Sequence, residues 1–346
     1  MNKKDALSSR ILSPFALSKD DSLTIKGVAI LLMIALHFLF PNSFVCAACI
    51  ALFAFVSGYG LSTKLGRVEG SVWKAAWYSC SHFYWIYLFC FVLATVVFLV
   101  FPTPWVPLNR SVWVYAGAVT MVQPMYIDWW YATVFLCMTM GLYPLFLSLC
   151  RRFPSMNVSV ALLMCGLFLV ACGSHYVAFF VFSRFFPSCL GLMYSNGEYH
   201  LVSNVLTYSG VFCLGACYQR FCSNVPKSRA WWTALVCVCL LLIGYVIFSS
   251  FRERFAILPL LIGSVYLFRY LIFVRVPLMV LGRYSVWMWL NHRFIFGYWF
   301  APFFHGLPPW LGYALLVVCS LLLAALMDVL FKACCRGVTR LRSFAG

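Results

Sequence analysis

Apolar residues run along this chain in blocks of about twenty, separated by short polar or proline-bearing stretches. A block of that length crosses a hydrocarbon core of about 30 Å as a single α-helix. Leu235 to Phe248 and Leu315 to Val329 are the cores of two such blocks. The pattern predicts ten spans, at roughly 22–41, 43–62, 75–101, 128–150, 157–181, 199–221, 231–250, 254–274, 276–300 and 309–333. Ser183 to Gly197 is apolar but short, with Pro187 and Gly191 inside it, and is expected to be a re-entrant or interfacial piece on the outer side. Pro102 to Ile127, rich in proline and aromatic residues, suits an outer loop lying on the membrane. The expected fold is therefore all-α: a polytopic membrane protein of about ten transmembrane helices with no soluble domain. A cytoplasmic tail is expected over 1–21, the membrane domain over 22–333 and a basic cytoplasmic tail over 334–346. The polar start, followed by a helix-length apolar run, does not have the pattern of a cleavable signal peptide. No repeat at a period of 20–50 residues is visible.

Composition sharpens this reading. Of 346 residues, 64% are hydrophobic and 10% charged, where a soluble domain carries about a quarter charged residues. The formal charge of +17 raises the question of nucleic acid, whose binding proteins gather charge on one water-facing patch. Here the cations sit between the apolar blocks, so membrane orientation explains them and nucleic acid is excluded as a partner. With the N-terminus inside, the predicted cytoplasmic segments hold Lys3, Lys4, Arg10, Lys19, Lys64, Arg67, Lys74, Arg151, Arg152, the Arg220 to Arg229 cluster, Arg275, Lys332 and the C-terminal arginines. The outer segments hold only Arg110, Arg184, Arg252 and Arg254, which is the positive-inside pattern for ten spans with both termini in.

Most of the seventeen cysteines lie inside apolar blocks, where a thiol acts as a small hydrophobe. None has zinc-ligand spacing, so no metal site is expected. Ionisable groups inside a membrane are costly and stand out as functional candidates. Lys26 falls about 6 Å into the first span, Arg283 about 10 Å into the ninth, and Asp328 about 8 Å from the inner end of the tenth. His37 and His292 fall deeper, at roughly 22–24 Å from the cytoplasmic side. Cations near the inner face could hold an anionic donor while a deeper histidine moves protons. Simpler readings stand beside this one: Lys26 snorkelling to the interface, or Asp328 neutralising Lys26 or Arg283 across a helix contact.

Four segments then form a familiar set. Lys26-Gly27, with His37 after ten intervening residues from Lys26, resembles the first helix of the membrane-bound acyltransferase family 3. Phe53-Ala-Phe-Val-Ser57-Gly58-Tyr59 is similar to the end of that family's second helix. Trp129-Trp130-Tyr131 followed by Tyr143-Pro144 resembles its fourth-helix pattern, and Leu281-Gly282-Arg283-Tyr284-Ser285 leading to His292 its late helix. The resemblance covers nearly the whole chain. It implies an integral O-acyltransferase that moves an acyl group, by base rate acetyl, from cytoplasmic acyl-coenzyme A to a hydroxyl of an envelope carbohydrate or lipid-linked glycan. No bound cofactor is implied; the acyl-coenzyme A is a substrate, and lipids of a bacterial cytoplasmic membrane are the remaining partners. Under it His37 is the catalytic histidine, as general base or transient acyl carrier, and Lys26 orients the donor or stabilises charge. Arg283, His292, Ser57, Tyr59, Trp130, Tyr131 and Asp328 are the expected substrate-binding positions.

The chain departs from the family pattern in two places. Where many members carry paired arginines at the start of the third helix, this chain reads Ser79-Cys80-Ser81-His82-Phe83, leaving Lys74 or His82 as candidate substitutes. Near the end of the last helix Asp328 stands where a Glu is usual. A transporter or flippase, and a non-catalytic divergent member of the family, remain as alternatives. Transporters built on inverted repeats break helices in both halves, whereas only one interrupted segment, around Pro187 and Gly191, is visible here.

Overall fold

The computed structural model describes residues 16–39, 45–65, 71–101, 112–121, 129–144, 208–216, 218–219 and 271–345, with isolated positions between them. All its elements are helical, and there is no strand among the described residues. Helix α1 (Lys19–Phe38) is followed by α2 (Val45–Leu65), α3 (Val72–Val100) and α4 (Val112–Val119). Helix α5 (Trp130–Leu136) runs into a wide-turned π segment, Cys137–Leu142. Helix α6 (Ile272–Arg293) runs into a second one, Phe294–Trp299, and α7 (Ala301–His305) and α8 (Pro309–Ala345) complete the order.

Three of these helices are long and apolar enough to cross a membrane: α1, α3, and α8 over Pro309–Gly337. The outward faces of α3 and α8 carry the hydrophobic residues that a water-soluble helix would hide. On α3 these are Trp73, Trp77, Trp85, Val92, Val96 and Leu99; on α8 they are Trp310, Leu311, Val318, Leu322, Leu326 and Val329. Such stripes mark a surface that meets lipid or a partner, not water. The helical class and the membrane association follow from these helices. The spans expected at 157–181 and 231–250, most of those at 199–221 and 254–274, and the Ser183 to Gly197 piece lie outside the described residues.

The start of α1 is built by its own sequence. Ser18 is the N-cap; its hydroxyl accepts from the Asp21 amide at 3.1 Å, and the Asp21 carboxylate accepts from the Ser18 amide at 2.9 Å. This reciprocal capping box satisfies two backbone donors that the helix cannot satisfy itself. Across the gap, Arg275 of α6 lies 3.4 Å from the carboxylate of Asp20 and 3.8 Å from that of Asp21.

One turn further on, α1 and α6 come into backbone contact. A methyl group on Gly27 would run into the Leu278 carbonyl, and one on Gly282 would run into the Leu23 carbonyl. Only glycine fits at either position, and small residues of this kind are what let membrane helices approach closely without a hydrophobic drive. The same device recurs where Gly58 of α2 faces the Phe212 carbonyl and Gly215 faces that of Phe55. Near their far ends α1 and α6 meet again at His37 and His292. Asp20 with Arg275 and His37 with His292 are both 255 positions apart, and Gly282 faces Gly27 at the same offset. A constant offset over seventeen residues, about 25 Å of helix, means that α1 and α6 run parallel and keep register.

The glycine notch gives a test. Gly282→Ala is expected to lower the stability of the detergent-purified protein by about 1–3 kcal/mol through overpacking. Gly337→Ala, with open space around it, should be neutral or slightly stabilising because alanine favours helix. Thermal unfolding followed by circular dichroism distinguishes the two; equal effects would contradict the contact.

Candidate functional site

Between α1, α2, α3, α5 and α6 lies a cavity of ≈ 270 Å³. Its wall is largely apolar, with Met33, Phe53, Val56, Phe83, Phe135 and Trp289, but each helix around it also contributes a polar group. Lys26 of α1 and Lys64 at the end of α2 supply two ammonium groups. Ser57, Ser79, Tyr131, Thr139 and Ser285 supply hydroxyls. Lys26 is half-buried, whereas Lys64 is exposed and lies over the ring of Tyr78, its nitrogen 5.4 Å from the ring centre. The lysines come from the beginning of α1 and the end of α2, as expected for two antiparallel neighbours joined by a short connection. Thr139 sits within the first π segment, a kind of turn often found at functional sites.

On α1 the cavity wall runs from Lys26 to Met33, and one turn later on the same face stands His37. On α6 it runs from Ser285 to Trp289, and His292 follows on that face. His37 Nδ1 lies 2.8 Å from His292 Nε2. The ring planes differ by 2° and the centroids are 5.1 Å apart. So long a centroid separation for so short a contact places the rings end to end rather than face to face, which suits an in-plane N–H···N hydrogen bond. His292 is fully buried, and its Nδ1 lies 2.8 Å from the Trp289 carbonyl and 3.2 Å from that of Met288. His37 is half-buried. The second π segment, Phe294–Trp299, begins two residues after His292.

The expected site residues divide accordingly. Lys26, Ser57 and Tyr131 line the cavity, with Tyr131 beside Ser57, and His37 and His292 pair next to it. Tyr59 does not line the cavity; its hydroxyl accepts from the Leu17 amide at 2.9 Å and donates to the Leu17 carbonyl at 3.2 Å, clasping the chain before α1. Arg283 is exposed and lies over the Tyr284 ring, 5.8 Å from its centre, and does not line the cavity. Asp328 pairs with Lys332 one turn along α8 at 2.5 Å, not with Lys26 or Arg283. Trp130 opens α5, and its side chain lies outside the described residues. Lys74 and His82, the candidate substitutes for the arginine pair, are both exposed on α3 and absent from the cavity wall; the His82 ring instead faces Phe331, 6.4 Å away between centres.

Several contributors were not singled out from sequence. In the sequence Lys64 reads as a topology signal, although its place at the inner end of an apolar block, with Ser57 two turns before it, is visible there. Ser285 lies inside the late-helix motif, facing the cavity one turn after Leu281. Trp129, and not only its neighbours, matters: it is 1% exposed, its Nε1–H donates to the Leu290 carbonyl at 3.2 Å, and its ring meets Phe294 edge-on. It thereby ties α5 to α6 beside the histidines.

No family model matches this chain, and neither a curated protein nor a solved structure matches it. The functional reading therefore rests on the residues themselves.

The contrast between Tyr59 and the cavity residues can be measured. Tyr59→Phe should lower stability by about 1–3 kcal/mol, because the buried Leu17 backbone loses its partner. Anionic ligands should bind the purified variant as they bind wild type, measured by thermal-shift titration. A selective loss of binding at unchanged stability would place Tyr59 in the ligand site instead.

Proposed function

We propose that the protein is a membrane O-acyltransferase that carries an acyl group, acetyl in the simplest case, from acyl-coenzyme A to a carbohydrate hydroxyl. The single observation that carries this reading is the alignment of two chemistries along one face of α1. Lys26 stands at the cavity end, with Lys64 of α2 in the same wall, and a hydrogen-bonded histidine stands beyond it at His37. Lys26 and His37 are eleven positions apart, about 16 Å along the helix. That distance suits an elongated donor with anionic groups at one end and a reactive thioester at the other.

In this reading the phosphates of the donor lie against Lys64 and Lys26, with the hydroxyls of Ser57 and Tyr131 as further hydrogen-bond donors. The apolar wall formed by Met33, Phe83 and Trp289 encloses the thinner arm and excludes water from the thioester. The acceptor hydroxyl approaches His37 and gives up its proton to the imidazole as its oxygen attacks the thioester carbonyl. The carbon–oxygen bond forms, the carbon–sulfur bond breaks, and the imidazolium returns the proton to the leaving thiolate. No oxidant, reductant or metal is needed. With the charge pattern, the Lys64 side is cytoplasmic, where acyl-coenzyme A is made, and both ends of the chain face the cytoplasm. Four motif segments resembling membrane-bound acyltransferase family 3 support the same assignment and point to a bacterial cytoplasmic membrane and an envelope or exported glycan as acceptor.

Mass spectrometry of surface glycans from cells expressing wild type, His37→Ala or no protein tests the proposal. One extra acyl mass in the wild-type sample alone is expected, with the His37→Ala product reduced at least about 100-fold. Identical glycans in all three would overturn glycan acylation and favour a transporter. An acyl increment that survives in His37→Ala would remove His37 from the chemistry. Lys26→Met with Lys64→Met should raise the KM for acyl-coenzyme A about tenfold or more with a smaller change in kcat, since the lysines act chiefly on ground-state binding.

A further inference from the structure

We infer that His292 is a positioning residue: it fixes the tautomer of His37, so that the basic nitrogen of the pair is His37 Nε2. The inference deepens the acyltransferase reading and rests on it for the role of His37 as base. The geometry that carries it is a chain of three groups. The Trp289 carbonyl, 2.8 Å from His292 Nδ1, can only accept, so His292 Nδ1 carries hydrogen. The Met288 carbonyl, 3.2 Å away, imposes the same requirement. A neutral imidazole has one N–H, so the lone pair of His292 falls on Nε2. That nitrogen is 2.8 Å from His37 Nδ1, which must then donate the hydrogen between them. The lone pair of neutral His37 is left on Nε2, at the other end of the ring.

The pieces that hold this chain are backbone and helix register, both rigid. His292 reads carbonyls three and four residues before it on its own helix, and it is fully buried. Its meeting with His37 is set by the parallel contact at Gly27 and Gly282, ten residues earlier on each helix. When His37 takes a proton, its Nδ1–H still points at the His292 lone pair, which stabilises the imidazolium without itself taking part in bond making. A carboxylate often fills this orienting place behind a catalytic histidine. A neutral histidine locked by a carbonyl gives orientation without adding a buried negative charge, which would be costly in a membrane interior.

The decisive measurement is nitrogen-15 nuclear magnetic resonance of histidine-labelled protein in lipid bilayers, because imidazole nitrogen shifts report which nitrogen carries hydrogen. The chain has six histidines, and the His37 signals are assigned by their loss in His37→Gln. The expected result in wild type near neutral pH is hydrogen on His37 Nδ1, retained in His292→Gln, whose side-chain oxygen can still accept. In His292→Phe, which cannot accept, the His37 population should move toward hydrogen on Nε2. Turnover should fall about 100-fold in His292→Phe and recover to within about tenfold of wild type in His292→Gln, with the KM for acyl-coenzyme A unchanged in both. Hydrogen on Nε2 of wild-type His37 would overturn the proposal even if His292→Phe failed to fold. So would a His37 tautomer that ignores the His292→Phe change. If the tautomer responds as expected but no acyl transfer is found with any glycan, the positioning stands and the acyltransferase reading falls.

Discussion

The parallel contact between α1 and α6 is the constraint on which the site depends. It is made where neither helix has a side chain: Gly27 and Gly282 let the two backbones meet, and Arg275 ties the helix starts together through Asp20 and Asp21. From that fixed point both helices advance by the same rise per residue, and ten residues later His37 and His292 arrive at the same height. A larger residue at either glycine would push the helices apart, and a displacement of 1 Å would stretch a 2.8 Å hydrogen bond beyond useful range. The histidine pair is thus positioned by packing at a distance, in a medium where hydrophobic burial gives little preference for one helix contact over another.

Packing and chemistry also explain why the cavity is where it is. Helix α2 brings Ser57 and Lys64 to the side of α1 that carries Lys26, and a second glycine notch, at Gly58 and Gly215, packs α2 against residues 208–216. The Tyr59 clasp on Leu17 fixes where α1 begins, and hence the height of Lys26 in the wall. Wide π turns occur on both sides, at Thr139 and just past His292. They re-aim side chains that a regular helix would send elsewhere. Aromatic rings fill the remaining space: Phe83 lies 4.7 Å from Phe135 between centres, and Trp129 closes the gap between α5 and α6.

Much of this was legible in the sequence because helix geometry is regular. The length of the apolar blocks predicted helices of membrane-spanning size, and spacing alone placed Lys26 and His37 on one helix with His292 at matching depth. What sequence could not show was direction around the helix and the identity of the partner. Tyr59 and Ser57 sit two residues apart, yet one clasps backbone and the other lines the cavity. Depth alone offers Asp328 both Lys26 and Arg283 as partners, whereas its partner in the structure is Lys332, one turn away and readable from the four-residue spacing. Lys64 carries only the sign of its charge in the sequence, because its place in one cavity wall with Lys26 depends on an antiparallel packing that no local pattern encodes. The repeated Gly, Met and His at the same intervals, in Gly27, Met33 and His37 and again in Gly282, Met288 and His292, was present in the letters, but its meaning comes from the parallel register.

The central claim is that acyl-coenzyme A occupies the cavity with its thioester at the histidine pair. Photolabelling with an acyl-coenzyme A that carries a diazirine on its acyl group, using protein in lipid nanodiscs, tests it without any assumption about the acceptor. The account predicts saturable labelling, competed by acetyl-coenzyme A, on the peptides that contain Met33 to His37 and Trp289 to His292. Labelling confined to other helices, or labelling that acetyl-coenzyme A does not displace, would contradict it.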